Sequence, residues 1–464
     1  MKLPAAFEET CPEYSATRAL DAIRSSDFPL LDASGHVYLD YTAANLVPRS
    51  LVERHAKLLR DHLLGNPHST NPASALASTY AAQARVSVLE FLNADPDEYV
   101  VVFTANATQA LKLVGEAYPF NADGEYLLTF DNHNSVNGIR EFARAKRTPV
   151  TYVPVLLPDM RIDAETLGSH LARPSRGGPR LLAYPAQSNF SGVQHPLDWV
   201  PLAQRSGWDV LLDAAAFAPS SRLDLSRYRP DFVSLSFYKI FGYPTGIGCL
   251  VARREALARL HRPWFAGGTI TVASVQGDKH YLSEGESAFE DGTPNYLALP
   301  AVVFGLDYVT SIGIETIHNR VTCLTRWLLS RLRDLRHPNG TSLARIYGPC
   351  STEHRGGTVT FNFYSPEGQA LDHRAVEARA NDANLSLRTG CFCNPGGGEI
   401  ALGITGTELA TCFRQPEHET RLTVDDFRLC IDGKSSGAVR VSLGLASNVD
   451  DVEAFIRFCE TFLR

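Results

Sequence analysis

Seven short apolar runs punctuate the chain: YVVVF from Tyr99, YLLTF from Tyr126, PVTYV from Pro149, LLAY from Leu181, DVLLD from Asp209, FVSLS from Phe232 and IGCLV from Ile247. Most are continuous rather than alternating, the pattern of strands buried on both faces. Amphipathic or alanine-rich stretches lie between them. SLVERHAKLLRDHLL has apolar positions near the 3.6 period and stops at Gly65-Asn66-Pro67. ALASTYAAQARVSVLEFL and TQALKLVGEAY also predict helices. Strands alternating with helices predict a doubly wound α/β domain over about 40–300, with a parallel or mixed sheet covered on both faces.

The pattern changes after residue 300. ETIHNRVTCLTRWLLSRLRDL predicts a long helix from about Glu315. GTVTFNFY and GAVRVSLG predict strands, and VDDVEAFIRFCETFL a closing helix. This composition predicts a smaller α+β domain over 301–464. Residues 1–39 are too few to fold alone and are expected to pack on it. The glycine-rich stretch GGGEIALGITGTE from Gly396 reads as a mobile loop.

Composition narrows the function classes. The 464 residues are 44% hydrophobic and 20% charged, the balance of a globular chain rather than a disordered one. A net charge of −7 argues against a dedicated nucleic-acid partner. No apolar run reaches the ~18 residues of a membrane span, and the acidic start MKLPAAFEETCPEYS lacks a signal core. The nine cysteines are odd in number and scattered, which argues against a disulfide framework and for a cytoplasmic location.

In open α/β sheets, ligands bind outside the carboxyl ends of the strands. Five such ends carry chemistry here. Thr104-Ala105-Asn106-Ala107-Thr108 follows the first run, Asp131-Asn132-His133 the second and Gln187-Ser188-Asn189 the fourth. DVLLD ends in Asp213, and FVSLS ends in Ser236 with Lys239 just beyond. Taken singly, each has a plain structural explanation: a cap, a turn residue or a solvated lysine. Together they suit pyridoxal 5'-phosphate. Its phosphate needs amides and hydroxyls at a helix start, which Ala107, Thr108 and Ser236 offer. Asp213 suits the pyridine nitrogen, Lys239 a Schiff base to the aldehyde, His133 the ring face and Asn189 the ring hydroxyl.

SFYKIFGYPTGIG (236–248) resembles the Schiff-base lysine segment of class V aminotransferase-fold enzymes. Together with YPAQSNFSG (184–192), VLLDAAAFAP (210–219) and RTGCFCNPG (388–396), it most closely resembles the desulfurase part of molybdenum cofactor sulfurases, relatives of cysteine desulfurases. The resemblance runs from about Tyr38 to the C-terminus. It implies fold type I of pyridoxal-phosphate enzymes: a mixed, mostly parallel seven-stranded sheet with a smaller α+β C-terminal domain. It also implies a homodimer in which Thr293, in EDGTPNY, helps hold the phosphate of the partner. Arg440 matches the arginine that grips the substrate carboxylate, with Arg388 as a helper. Two positions depart from the common desulfurase pattern: Ala216 stands where a glutamine is usual, and Tyr238 where a histidine is usual. Molybdenum cofactor sulfurases continue into a C-terminal cofactor-binding domain, so transfer onto that cofactor is not expected within this polypeptide.

Cys391 and Cys393 carry three readings. A thiolate could take sulfur from substrate as a persulfide, and related enzymes place it at the position of Cys393. Cys391, Cys393, Cys412 and Cys430 could instead ligate zinc, although the usual C-x₂-C pairs are absent. They could also be plain loop thiols. With the flanking RTG and NPG, the nucleophile reading leads, and the glycines at 396–398 would let the thiol swing. The expected activity is a desulfurase taking sulfur from L-cysteine and passing it to an acceptor protein or thiol, with no metal. Lys239, Cys393 and His133 are the catalytic candidates. The alternatives are another class V reaction (aminotransferase, epimerase or C–S lyase) and a scaffold that has lost its cofactor.

Overall fold

The computed structural model describes residues 3–415, 421–423, 426 and 436–463. All seven apolar runs are strands of one sheet: β1 Tyr99–Thr104, β2 Glu125–Thr129, β3 Val150–Val153, β4 Arg180–Pro185, β5 Asp209–Asp213, β6 Phe232–Ser236 and β7 Gly248–Arg253. Their order is β1-β7-β6-β5-β4-β2-β3. Only β7 runs antiparallel, pairing Gly248 with Thr104 on one side and with Ser236 on the other. The carboxyl ends of the other six strands therefore share one edge. This is the architecture of fold type I, as expected.

The continuous apolar character has a direct cause. Alternate residues of each strand enter different cores. Val101, Phe103, Leu127, Leu182 and Leu212 face one, and Val100, Val102, Leu128, Leu181 and Leu211 face the other. With both faces buried, most strand positions are apolar.

The predicted helices are present at Arg49–Asp61, Pro72–Phe91, Ala107–Ala117, Ile314–Asp334 and Val449–Glu460. A second, antiparallel sheet joins Ala344–Tyr347, Thr358–Phe363, Ala438–Ser442 and Arg388–Gly390 in that spatial order. The N-terminal helices bind the long helix through buried Arg320. Its guanidinium donates to the Thr17 hydroxyl and carbonyl and to Asp21, each at 2.7 Å. The chain then crosses to the site edge. Val37–Tyr38 pairs in parallel with Leu385–Ser386, and Asp40 bridges to Ser442. Among the described residues, no single helix is long and apolar enough to cross a membrane.

Candidate active site

β6 delivers the lysine. It ends in Ser236, and the five-residue helix Phe237–Phe241 follows with Lys239 at its centre. Gly242 closes that helix in the left-handed region at φ +82°, where a Cβ would strike the Leu46 carbonyl oxygen. The Asn45 amide then donates to the carbonyls of Lys239 and Ile240, both at 2.8 Å, satisfying acceptors the short helix leaves free. The Lys239 amine is pushed below its ordinary value, first by burial and then by the charges of Arg440 and Arg388; Asp213 and Cys393 oppose the shift. A larger neutral fraction favours attack on a carbonyl.

Around it the strand ends converge. One Asp213 oxygen accepts from the Ala215 amide and the Ser234 hydroxyl, each at 3.0 Å. Its other oxygen has no hydrogen bond among the described residues. The Ser236 hydroxyl accepts from the Ala107 amide at 2.9 Å, joining β6 to the start of the helix Ala107–Ala117. Thr108 and Ser135 share a 2.8 Å hydroxyl pair beside it. Nδ1 of His133 accepts from the Ser135 amide at 3.1 Å. The imidazole is held below its ordinary pKa chiefly by burial, and by Lys239 and Arg440, so it is neutral near pH 7. An amide-and-hydroxyl cradle at a helix start, a carboxylate with one free oxygen, a neutral imidazole and a buried amine form a donor set that fits pyridoxal 5'-phosphate.

Arg440 is buried and lies over the Phe392 ring, 4.7 Å from its centroid. Its guanidinium donates to Asp40 at 3.1 Å and to the Asn189 carbonyl at 3.0 Å. Nε is buried and has no partner among the described residues. Burial lowers its pKa to about 10, with Asp40 resisting, so it remains a cation at neutral pH. Half-exposed Arg388 reaches the same Asp40 carboxylate at 2.8 Å. Cys393 lies close enough to Lys239, Arg388 and Arg440 for charge on its sulfur to act on all three.

The profile of the class V aminotransferases matches residues 37–455. The chain belongs to this family. Pyridoxal phosphate is the cofactor of class V enzymes, and the strand-end residues carry the donors it needs. The chain is 37% identical to the molybdenum cofactor sulfurase of Bos taurus over 95% of its own length and 51% of that protein. The figures for the Solanum lycopersicum protein of the same name are 35%, 96% and 58%. The chain thus spans about half the length of these relatives. Among solved structures, the apo cysteine desulfurase of Thermococcus onnurineus shares the fold at a TM-score of 0.76 and 24% identity, over 95% of this chain and 97% of that one. A cystine C–S lyase in complex with its product cysteine persulfide matches at 0.70 and 20%, over 94% and 100%.

Ala107, Thr108, His133, Asp213, Ser236 and Lys239 meet at one edge of the class V sheet, with Asn189, Arg388, Arg440 and Cys393 beside them. Thr293 does not join them within the chain. It is exposed, and its hydroxyl accepts from Asn66 at 3.3 Å. Asn189, expected to meet a ring hydroxyl, donates to the Phe392 carbonyl at 2.7 Å and accepts from Asn394 at 2.9 Å.

The glycine-rich stretch is not a mobile loop. Pro395–Leu402 and Gly406–Phe413 are helices. The glycines serve close packing: a Cβ at Gly396 would overlap the Phe130 carbonyl oxygen, and one at Gly397 would crowd Phe190. Asn394 followed by Pro395 was the legible signal, a helix cap with proline at the first position. Asp40, in YLDYT, was missed as well. Of the zinc set, Cys412 is disulfide-bonded and offers no thiolate, while Cys430 lies outside the described residues. A single disulfide is not the framework that the scattered cysteines argued against. Seven other cysteines are free.

Proposed function

We propose that this class V protein is a cysteine desulfurase that uses pyridoxal 5'-phosphate, removes sulfur from L-cysteine as a persulfide on Cys393, and releases alanine. The observation that carries the reading is the grouping at one sheet edge of the exposed Cys393 thiol, the Lys239 amine of lowered pKa and buried Arg440, whose Nε has no partner among the described residues. The similarity to molybdenum cofactor sulfurases and cysteine desulfurases supports it.

When bound, the cofactor supplies an electron sink at the substrate α-carbon. Asp213 would hold its ring nitrogen, His133 its ring face, and Ala107, Thr108 and Ser236 its phosphate. The chain's own residues do the rest. Arg440 grips the substrate carboxylate, with Arg388 neutralised at its side by Asp40. Lys239 takes the Cα proton and returns it. The Cys393 thiolate attacks the substrate sulfur. An S–S bond forms, the C–S bond breaks with its electron pair going to carbon, and a proton completes the methyl group of alanine. No external oxidant or reductant is needed until an acceptor protein or thiol removes the sulfur.

We further infer a homodimer in which Thr293 serves the phosphate site of the second copy. The neighbouring ribbon, Ile270–Ser274 with Lys279–Leu282, supports this: it exposes Val272, Val275 and Tyr281, and a lone two-stranded ribbon is marginal in water.

The similarity to a cystine C–S lyase favours one second reading, cleavage without a protein thiol. Product analysis separates the two. Protein reconstituted with the cofactor and given L-cysteine is expected to release alanine. Pyruvate and ammonia in place of alanine would support the lyase and reject the desulfurase.

A further inference from the structure

The tripeptide Phe392-Cys393-Asn394 is stitched to three distant segments. Asn394 is fully buried and uses its whole side chain. Its amide nitrogen donates to the Asp131 carbonyl at 2.6 Å and to the Asn189 side chain at 2.9 Å. Its oxygen accepts from the Gly397 amide at 2.9 Å, capping the helix Pro395–Leu402. The neighbours are tied as well. The Cys393 carbonyl accepts from the Asn134 amide at 2.7 Å, next to His133. The Phe392 carbonyl accepts from Asn189, and its ring lies between Phe190 and the Arg440 guanidinium.

These bonds hold an uncommon backbone. Phe392 and Cys393 sit at φ +55° and +54°, the left-handed region that side-chain-bearing residues seldom occupy in succession. Such a conformation persists only where the surroundings over-determine it. It leaves the Cys393 thiol exposed while its own carbonyl points back to Asn134.

We propose that Asn394 is a positioning residue: its two donated hydrogen bonds latch Cys393 at the cleft, so that the thiol works from a fixed post. The acceptor must then come to the cleft, because the thiol does not travel out to it. The kinetic part rests on the desulfurase reading; the conformational part does not.

Asn394→Asp separates the latch from the cap. A carboxylate still accepts from Gly397 and is a good helix cap, but it cannot donate to Asp131 or Asn189. Two measurements on cofactor-loaded protein test the proposal. Hydrogen exchange at single amides is expected to show Gly397 protected as in wild type and Asn134 exchanging about tenfold faster. The first turnover of L-cysteine to alanine is expected to slow about tenfold, with KM and the visible cofactor band unchanged. Wild-type exchange at Asn134, or a wild-type first turnover beside faster exchange, would overturn the role. If wild-type protein itself makes no alanine, the desulfurase reading fails, and the exchange comparison alone decides the latch. Asn394→Ala, which removes the cap too, is expected to expose Gly397 as well as Asn134.

Discussion

Lys239 and Cys393 face one cleft from very different supports. Lys239 stands three residues beyond the end of β6 at Ser236, on a short helix whose free carbonyls are met by Asn45. Cys393 stands on a tripeptide whose fixing partners, Asn189 and Asp131, lie 205 and 263 positions from Asn394. The lysine's place follows from strand order. The thiol's place follows from side-chain hydrogen bonds that exist only once the whole chain has folded. The site is thus assembled from one wall placed by the sheet and one wall latched onto it by side-chain hydrogen bonds.

The sharpest way to isolate the lysine wall is Lys239→Ala. Alanine production is expected to fall by at least ~10³-fold, and the visible band of lysine-bound cofactor to disappear, while thermal unfolding stays cooperative. Retained activity would remove Lys239 from the chemistry.

Arg440 lies on the Phe392 ring and its charge acts on Lys239, so Arg440→Lys probes the junction of the two walls. An ammonium cannot reproduce the planar donor fork. The KM for L-cysteine is expected to rise about tenfold or more, a change steady-state kinetics would read directly.

Gly396→Ala tests whether the thiol wall is packed or loose. Its Cβ would overlap the Phe130 carbonyl, so stability is expected to drop by about 1–3 kcal/mol in urea denaturation. A neutral effect would restore the mobile-loop reading.

The smallest effect is a pH dependence of the lysine wall. The folded pKa of Lys239 lies below 10.5, so the unfolded chain binds the extra proton in between. Stability of cofactor-free protein therefore gains from this group as pH rises through that window, and the group is a burden below it. Lys239→Met is expected to be the more stable form at pH 7, with the difference shrinking toward pH 10.5. A difference that grows with pH would reverse the sign.

The same contrast explains what could be read from sequence. Apolar runs marked all seven strands because burial on both faces leaves few polar positions. Strand-end chemistry then marked Asp213, Ser236 and Lys239, because a parallel sheet brings such ends together whatever the side chains do. Asp40 escaped notice. It is one acidic residue after a two-residue strand, and its meaning comes from Arg388 and Arg440, far along the chain. Gly396–Gly398 misled because glycine permits both flexibility and close approach; only the position of Phe130 distinguishes them. Asn394 looked like a cap and is one, but its donor side points at partners that no local pattern reveals.

The central claim is that Cys393, and not Cys391, takes the sulfur. Mass spectrometry of cofactor-loaded protein after brief exposure to L-cysteine tests it most directly. The account predicts one added sulfur on Cys393, alanine in equal amount, and the same result in Cys391→Ser. Sulfur on Cys391, or alanine formed at the wild-type rate by Cys393→Ser, would contradict it.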